Sequence, residues 1–197
     1  SHSCERVLPS GTVELVINLA HDGFLVETSR GPQRLRGALV SGVYQRFFWI
    51  DTRDHADVIG VHFKPAGAWP VLGRPPGLLT DQHVDLEDLW SAADARRLRV
   101  QLMEADELQR LRLLEEALTA RCLQPRALHP ACAPALGALS DGRSVHEVAA
   151  AVGMSARRLQ SLFQEQIGTT PKRYARLHRF QRALAHLRLP VSPDWSA

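Results

Sequence analysis

Lysine is nearly missing from this 197-residue sequence, with two residues against 22 arginines. The bias pervades both halves, so it reads as the mark of a GC-rich bacterial genome and not of a function. Cysteine is scarce too. Cys4, Cys122 and Cys132 are scattered with no CxxC pair, which argues against a disulfide framework or a zinc finger and leaves three free thiols, Cys122 on an apolar helical stripe where packing is its expected role. No apolar run approaches the roughly 18 residues of a membrane span, and the opening SHSCERVLPSG carries no signal-peptide core, so a cytoplasmic protein without a membrane partner is expected. Glycine-rich phosphate loops, GxSxG, HExxH and HxH are all absent. His55 and His62 are seven apart, an odd separation that points them to opposite faces of a strand, and the adjacent Glu115 and Glu116 diverge on a helix. These absences speak against catalysis, and neither a cofactor nor a metal is expected.

What is present is concentrated in residues 144–163, SVHEVAAAVGMSARRLQSLF. Ser144 with Glu147 three places on is a capping box, Gly153 stands where a turn needs φ > 0, and Ser155 opens a second helix. On that second helix Leu159, Leu162, Phe163 and Gln166 to Ile167 fall at helical spacing on the inward side, leaving Arg157, Gln160, Ser161 and Gln164 opposite. This is a helix-turn-helix pattern whose outer face carries Arg and Gln, the residue types that pair bidentately with guanine and adenine in the major groove. Gly168, Thr169, Thr170 and Pro171 then provide a stop, a cap and a first helical residue. They lead into KRYARLHRFQRALAHLR, with Tyr174, Leu177, Phe180, Leu184 and Leu187 on one stripe and Lys172, Arg173, Arg176, Arg179 and Arg182 largely off it, suited to phosphate contacts. Divided at Ala127, the first part carries 15 basic and 17 acidic residues and the rest 9 and 4, so the net positive charge collects where DNA would lie.

The run from Ser144 to Leu184, with Ala149, Gly153, Ser155, Arg157, Leu159, Phe163, Gly168, Pro171, Tyr174, Arg176 and Ala183 in order and spacing, resembles the first helix-turn-helix and linker helix of the AraC/XylS family of bacterial transcription regulators. The resemblance implies a domain with two helix-turn-helix units joined by a long helix. It places the base contacts on Arg157, Gln160 and Ser161, with Ala156 and Gln164 flanking, and it expects phosphates at Thr169, Thr170, Lys172, Arg173 and Arg176. The family often has arginine where Ser161 stands. Residues 191–197 read as a linker and a new helix start at Ser192 and Pro193, so the sequence resembles a regulator that stops before its second unit.

The first 127 residues read differently. Val13, Leu15, Ile17 and Leu19 alternate over residues 12–20, a turn at His21, Asp22 and Gly23 leads into 23–29, and further strand signals occupy 36–43, 45–51 and 57–64. A short helix is expected over 66–72, an Asp85-capped turn up to Trp90, and helices over 92–105 and 106–123, the last with a seam of Leu108, Leu111, Leu114 or Glu115, Leu118 and Cys122. VLPSGTVELVINL, DVIGVHFKPAGAWPVLG and LTDQHVDLEDLW also resemble an N-terminal domain found on a subset of AraC-type regulators. The expected fold is α+β: a sensing or dimerising domain over 1–127, with an antiparallel, cupin-like β-barrel at 7–65 and helices at 66–123, then an all-α DNA-binding domain over 128–197. Among effector-lining residues Tyr44, Trp49, His62 and Trp69 are the candidates, though barrel core is the competing reading of the aromatics. The partners implied are double-stranded DNA, a small-molecule effector, a second copy of the chain and RNA polymerase. Two alternatives stand beside the regulator: a ligand-binding or protein-interaction barrel without DNA binding, and a cupin-type metal enzyme.

Overall fold

A computed structural model describes residues 4–122 and 127–188. The helix start expected at Ser192 and Pro193 lies outside the described residues, as does Leu123. Among the described residues eight strands are observed: β1 (Cys4–Val7), β2 (Glu14–Asn18), β3 (Gly23–Thr28), β4 (Gly31–Arg36), β5 (Ala38–Ser41), β6 (Phe48–Asp51), β7 (Val58–His62) and β8 (His83–Asp85). They form two four-stranded antiparallel sheets, β1-β6-β3-β4 and β7-β2-β5-β8. The short helices α1 (Trp69–Leu72) and α2 (Leu86–Leu89) precede α3 (Ala92–Glu104) and α4 (Glu107–Cys122); α5 (Cys132–Ser140), α6 (Val145–Ala151), α7 (Ala156–Gln166) and α8 (Pro171–Arg188) follow. The class is α+β, with the strands all in the first half.

The second sheet is a middle layer, and its sequence shows why. On β2, Leu15 and Ile17 face a core shared with Leu98 and Leu102 of α3 and Leu114 of α4, while Val16 packs toward Phe24, Val26 and Phe48 of the first sheet. On β5, Ala38 and Val40 take the helix side and Leu39 the sheet side, so all four residues of that strand are buried. A strand covered on both faces reads as a continuous apolar run, which is what ALV supplies. Val13, Leu15, Ile17 and Leu19 are all buried, as the alternation predicts. Fully buried Asn18 organises the following turn: its Nδ2 donates to the carbonyls of Gly23 (3.0 Å) and Asp54 (2.6 Å), and its Oδ1 accepts from the amides of Ala20 and His21.

The strands extend beyond the expected 7–65. β1 begins at Cys4, and β8 lies among the residues expected to be helical, where it pairs with β5. Edge strand β4 was not expected either, because Pro32 and the charged Arg34 hide the period; Pro32 is tolerated at a sheet edge, where no ladder donor is missed. Side chains bridge the two sheets there. Gln33 Nε2 donates to the His83 carbonyl (3.1 Å), and Asp85 accepts from the Arg36 amide (2.7 Å). Asp85 stands at the N-cap of α2 without capping it, its carboxylate being taken by Arg36. The seam expected on α4 divides: Leu114 is buried, but Leu108 and Leu111 are exposed, and so is Cys122, which does not pack as expected.

The two halves of the chain share their cores. Ala66 belongs to the cluster of Val148, Leu159, Phe163 and Tyr174, and Leu177 of α8 packs into the cluster of the second sheet. The turn at 76–79 sits against the end of α7, where a Cβ on Gly77 would lie 2.1 Å from the Gln164 carbonyl oxygen. Thr80 Oγ1 donates to the Gly168 carbonyl (2.8 Å), and a Cβ on Gly168 would meet Val43 and Pro76 at 3.1 Å.

Two outcomes follow. Gly77→Ala forces backbone apart and should cost about 1–3 kcal/mol in chemical denaturation, whereas Gly137→Ala in α5, with nothing within 4 Å of the new Cβ, should gain about 0.5–1 kcal/mol. His83, 4% exposed and hydrogen-bonded through Nδ1 to the Tyr44 hydroxyl (2.5 Å), is held down to about pH 4 by burial and then by nearby His55. Its folded value lies below the unfolded one, so the unfolded chain takes the proton first. Stability should therefore fall by roughly 1–3 kcal/mol as pH drops from about 6.5 to 4, and a His83→Phe chain followed by denaturation across that range should lose this component.

Candidate nucleic-acid interface

The helix pair forms by the local rules read from its sequence. Ser144 Oγ accepts from the Glu147 amide (3.3 Å) and Glu147 Oε2 accepts from the Ser144 amide (2.8 Å), a complete capping box whose bonds hold the Glu147 carboxyl below its ordinary value. Gly153 has φ 68°, a left-handed turn residue that lets the chain reverse between α6 and α7. Ser155 caps α7 by accepting from the Arg158 amide (3.1 Å). Leu159, Leu162 and Phe163 are at most 2% exposed and fix the inner face of α7. Gln166 is buried with them because its Oε1 is used, accepting from the His129 amide (2.9 Å) and the Cys132 thiol (3.2 Å), the latter a group whose pKa burial pushes up.

The opposite side of α7 is open. Ala156, Arg157, Gln160, Ser161 and Gln164 are all exposed, and the Ser161 hydroxyl donates back to the Arg157 carbonyl (3.2 Å). Gln160 and Gln164 share a concave surface of about 500 Å³ with Val145, Thr170, Lys172 and Arg173. That surface brings Gln160 and Gln164 beside the expected phosphate holders at the start of α8, where Thr170 Oγ1 accepts from the Arg173 amide (3.4 Å); Arg157, Ser161 and Ala156 lie outside its lining. Pro171 stands at the first position of the 18-residue α8, whose dipole favours negative charge at this end. No carboxylate lines it, and among the described residues Arg157, Lys172, Arg173 and Arg176 form no ion pair.

Thr169 departs from the expectation. It is 2% exposed, its hydroxyl enclosed without a hydrogen-bond partner, so it does not present a donor to a phosphate. Arg176 is exposed but lines a different cavity, at the seam with the N-terminal half. The four effector candidates are not brought together. Tyr44 is buried against Phe48 and His83, Trp49 lies half-buried under Arg6, His62 is exposed beside Glu14 (3.2 Å), and Trp69 is half-buried on α1. Burial also raises the Tyr44 hydroxyl above its ordinary value, followed by the effect of Asp81. Among the described residues no three His, Cys, Asp or Glu side chains group as metal ligands, and no helix is long and apolar enough to cross a membrane.

Residues 148–193 match a family described as a helix-turn-helix domain, and residues 1–85 match one described as a domain of unknown function (DUF6597). No curated protein and no solved structure matches the chain. Removing the cap with Ser144→Ala should cost about 1 kcal/mol, read as a lower denaturation midpoint with the slope unchanged.

Proposed function

We propose that this chain, which carries an AraC-type helix-turn-helix domain behind an N-terminal DUF6597 domain, is a sequence-specific transcriptional regulator that reads DNA with α7. The observation that carries the reading is the concave surface shared by Gln160, Gln164, Thr170, Lys172 and Arg173, open to solvent and free of carboxylates. Arg157 and Gln160 read base edges in the major groove, with Ser161 and Gln164 beside them and Ala156 able to meet a thymine methyl. Thr170, Lys172, Arg173 and Arg176 hold phosphates and set the register of α7 on the duplex. No role is proposed for Thr169.

The N-terminal half acts as the control unit, a reading supported by its direct seat on the end of α7 through Gly77 and Thr80. A second copy of the chain is proposed to pair through α4, supported by Leu108 and Leu111 at 72% and 61% exposed. RNA polymerase as a partner follows from regulation alone and has no residue of its own here.

Fluorescence anisotropy with a duplex taken from the gene's own upstream region tests the assignment. Arg157→Ala or Gln160→Ala should each cost about 1–3 kcal/mol and relax preference at one base position. Lys172→Gln or Arg173→Gln should instead weaken all duplexes alike and reduce the salt slope by about one. Unchanged preference in both of the first pair would remove α7 as the reader.

A further inference from the structure

A cavity of about 390 Å³ opens on the seam between the two halves, outside both sheets and away from the base-reading face. Its floor is laid by Leu8 and Pro9 from the start of the chain and by Leu177 of α8. The floor is already assembled: Leu177 is buried, a Cβ on Gly11 would meet it at 3.4 Å, and the Gln181 side chain donates to the Pro9 carbonyl. Phe47 and Phe180 form its walls, and both remain substantially exposed, at 48% and 38%. Arg176 stands one helical turn before Phe180 on the same face of α8, and Arg46 joins the lining from the chain segment before β6.

The two arginines decide the chemistry. No carboxylate lines the cavity, and among the described residues neither guanidinium has an ion pair or hydrogen bond. Arg6, close by in sequence, is already engaged over the Phe47 and Trp49 rings at 4.8 and 4.9 Å. An apolar, preformed concavity of this size fits a small molecule, not a macromolecule. An inorganic anion has no use for the apolar lining, and an uncharged ligand leaves the guanidiniums unmatched. We propose that the seam cavity is a binding site for an organic carboxylate with an apolar body, the anion held by Arg46 and Arg176 and the body lying between Phe47 and Phe180.

The site draws walls from both halves, so its occupant bridges them. Arg176 is also one of the proposed phosphate holders, and a carboxylate that engages it withdraws a positive charge from DNA. Ligand and duplex then oppose each other, by linkage in both directions. That consequence rests on the DNA-binding reading above; the site itself does not.

Calorimetric titration of the full chain with decanoate and with 2-naphthoate tests the site and distinguishes an alkyl from an aryl body. At least one should bind at a ratio of one to one, with acetate and 2-naphthol at least about tenfold weaker, since each lacks one half of the required chemistry. Arg46→Gln and Phe180→Asp should each weaken binding about tenfold or more, and Arg46→Lys should recover part of it, with thermal unfolding confirming that all three fold. Failure of both carboxylates at millimolar concentration, equal binding of 2-naphthol, or wild-type binding by both disruptive variants would overturn the site. In anisotropy, saturating carboxylate should weaken duplex binding and lower the salt slope by about one. Carboxylate binding that leaves duplex affinity unchanged overturns the coupling, whereas a chain that binds carboxylate but no duplex overturns the DNA reading and leaves the site standing.

Discussion

The backbone of Gly77 approaches the Gln164 carbonyl so closely that no side chain fits between them. Most of the structure's functional logic depends on this contact. It seats the last turn of α7 on the N-terminal half, and the neighbouring bond from Thr80 to the Gly168 carbonyl fixes the turn that follows. The buried side of α7 is thus held by two sources: its own domain, through Leu159 and Phe163, and the other half of the chain, through its backbone. Its outer side is left for something else. Packed interiors transmit displacement instead of absorbing it, so a shift of residues 76–80 would carry α7 with it.

Charge and polarity follow the same division. Several acidic residues of the first half are matched, as with Glu87 between Arg36 and Arg96 and Asp94 between Arg97 and Arg121. The arginines of α7 and α8 have no such partners among the described residues, and an unmatched basic surface attracts polyanions. Inside the N-terminal half the polar atoms are closed on one another. Asn18 uses both ends of its amide, and His83 and Tyr44 satisfy each other in an aromatic cluster with Phe48. Such a cluster specifies how the two sheets pack against each other.

Local structure was largely legible in the sequence and tertiary contact was not. The capping box at Ser144, the turn at Gly153 and the apolar face of α7 all depend on residues within one or two turns of each other, and each stands where the pattern put it. The alternation at Val13 to Leu19 was equally plain. β4 was hidden because Pro32 and Arg34 suit an edge, and β8 because three residues show no period; α5 carries Pro134 in its first turn, where it costs no hydrogen bond. Gly77, in a Pro-Pro-Gly run, looked like an ordinary loop; only the fold shows it against α7. Gly168 was recognised as a helix stop, yet its neighbours Val43 and Pro76 are distant in sequence. Arg176 fitted a phosphate stripe by spacing, while the cavity it lines exists only because residues 8 and 9 return to α8.

On the proposed reading the exposed side of α7, held from behind by the N-terminal half, reads base sequence. Selection from a randomised duplex pool by the full chain, followed by sequencing of the retained DNA, is the decisive test. A base-reading α7 should enrich a short contiguous motif confined to one major-groove segment. Retention of the pool without enrichment, abolished equally by polyglutamate, would reduce α7 and α8 to a basic surface and contradict the claim.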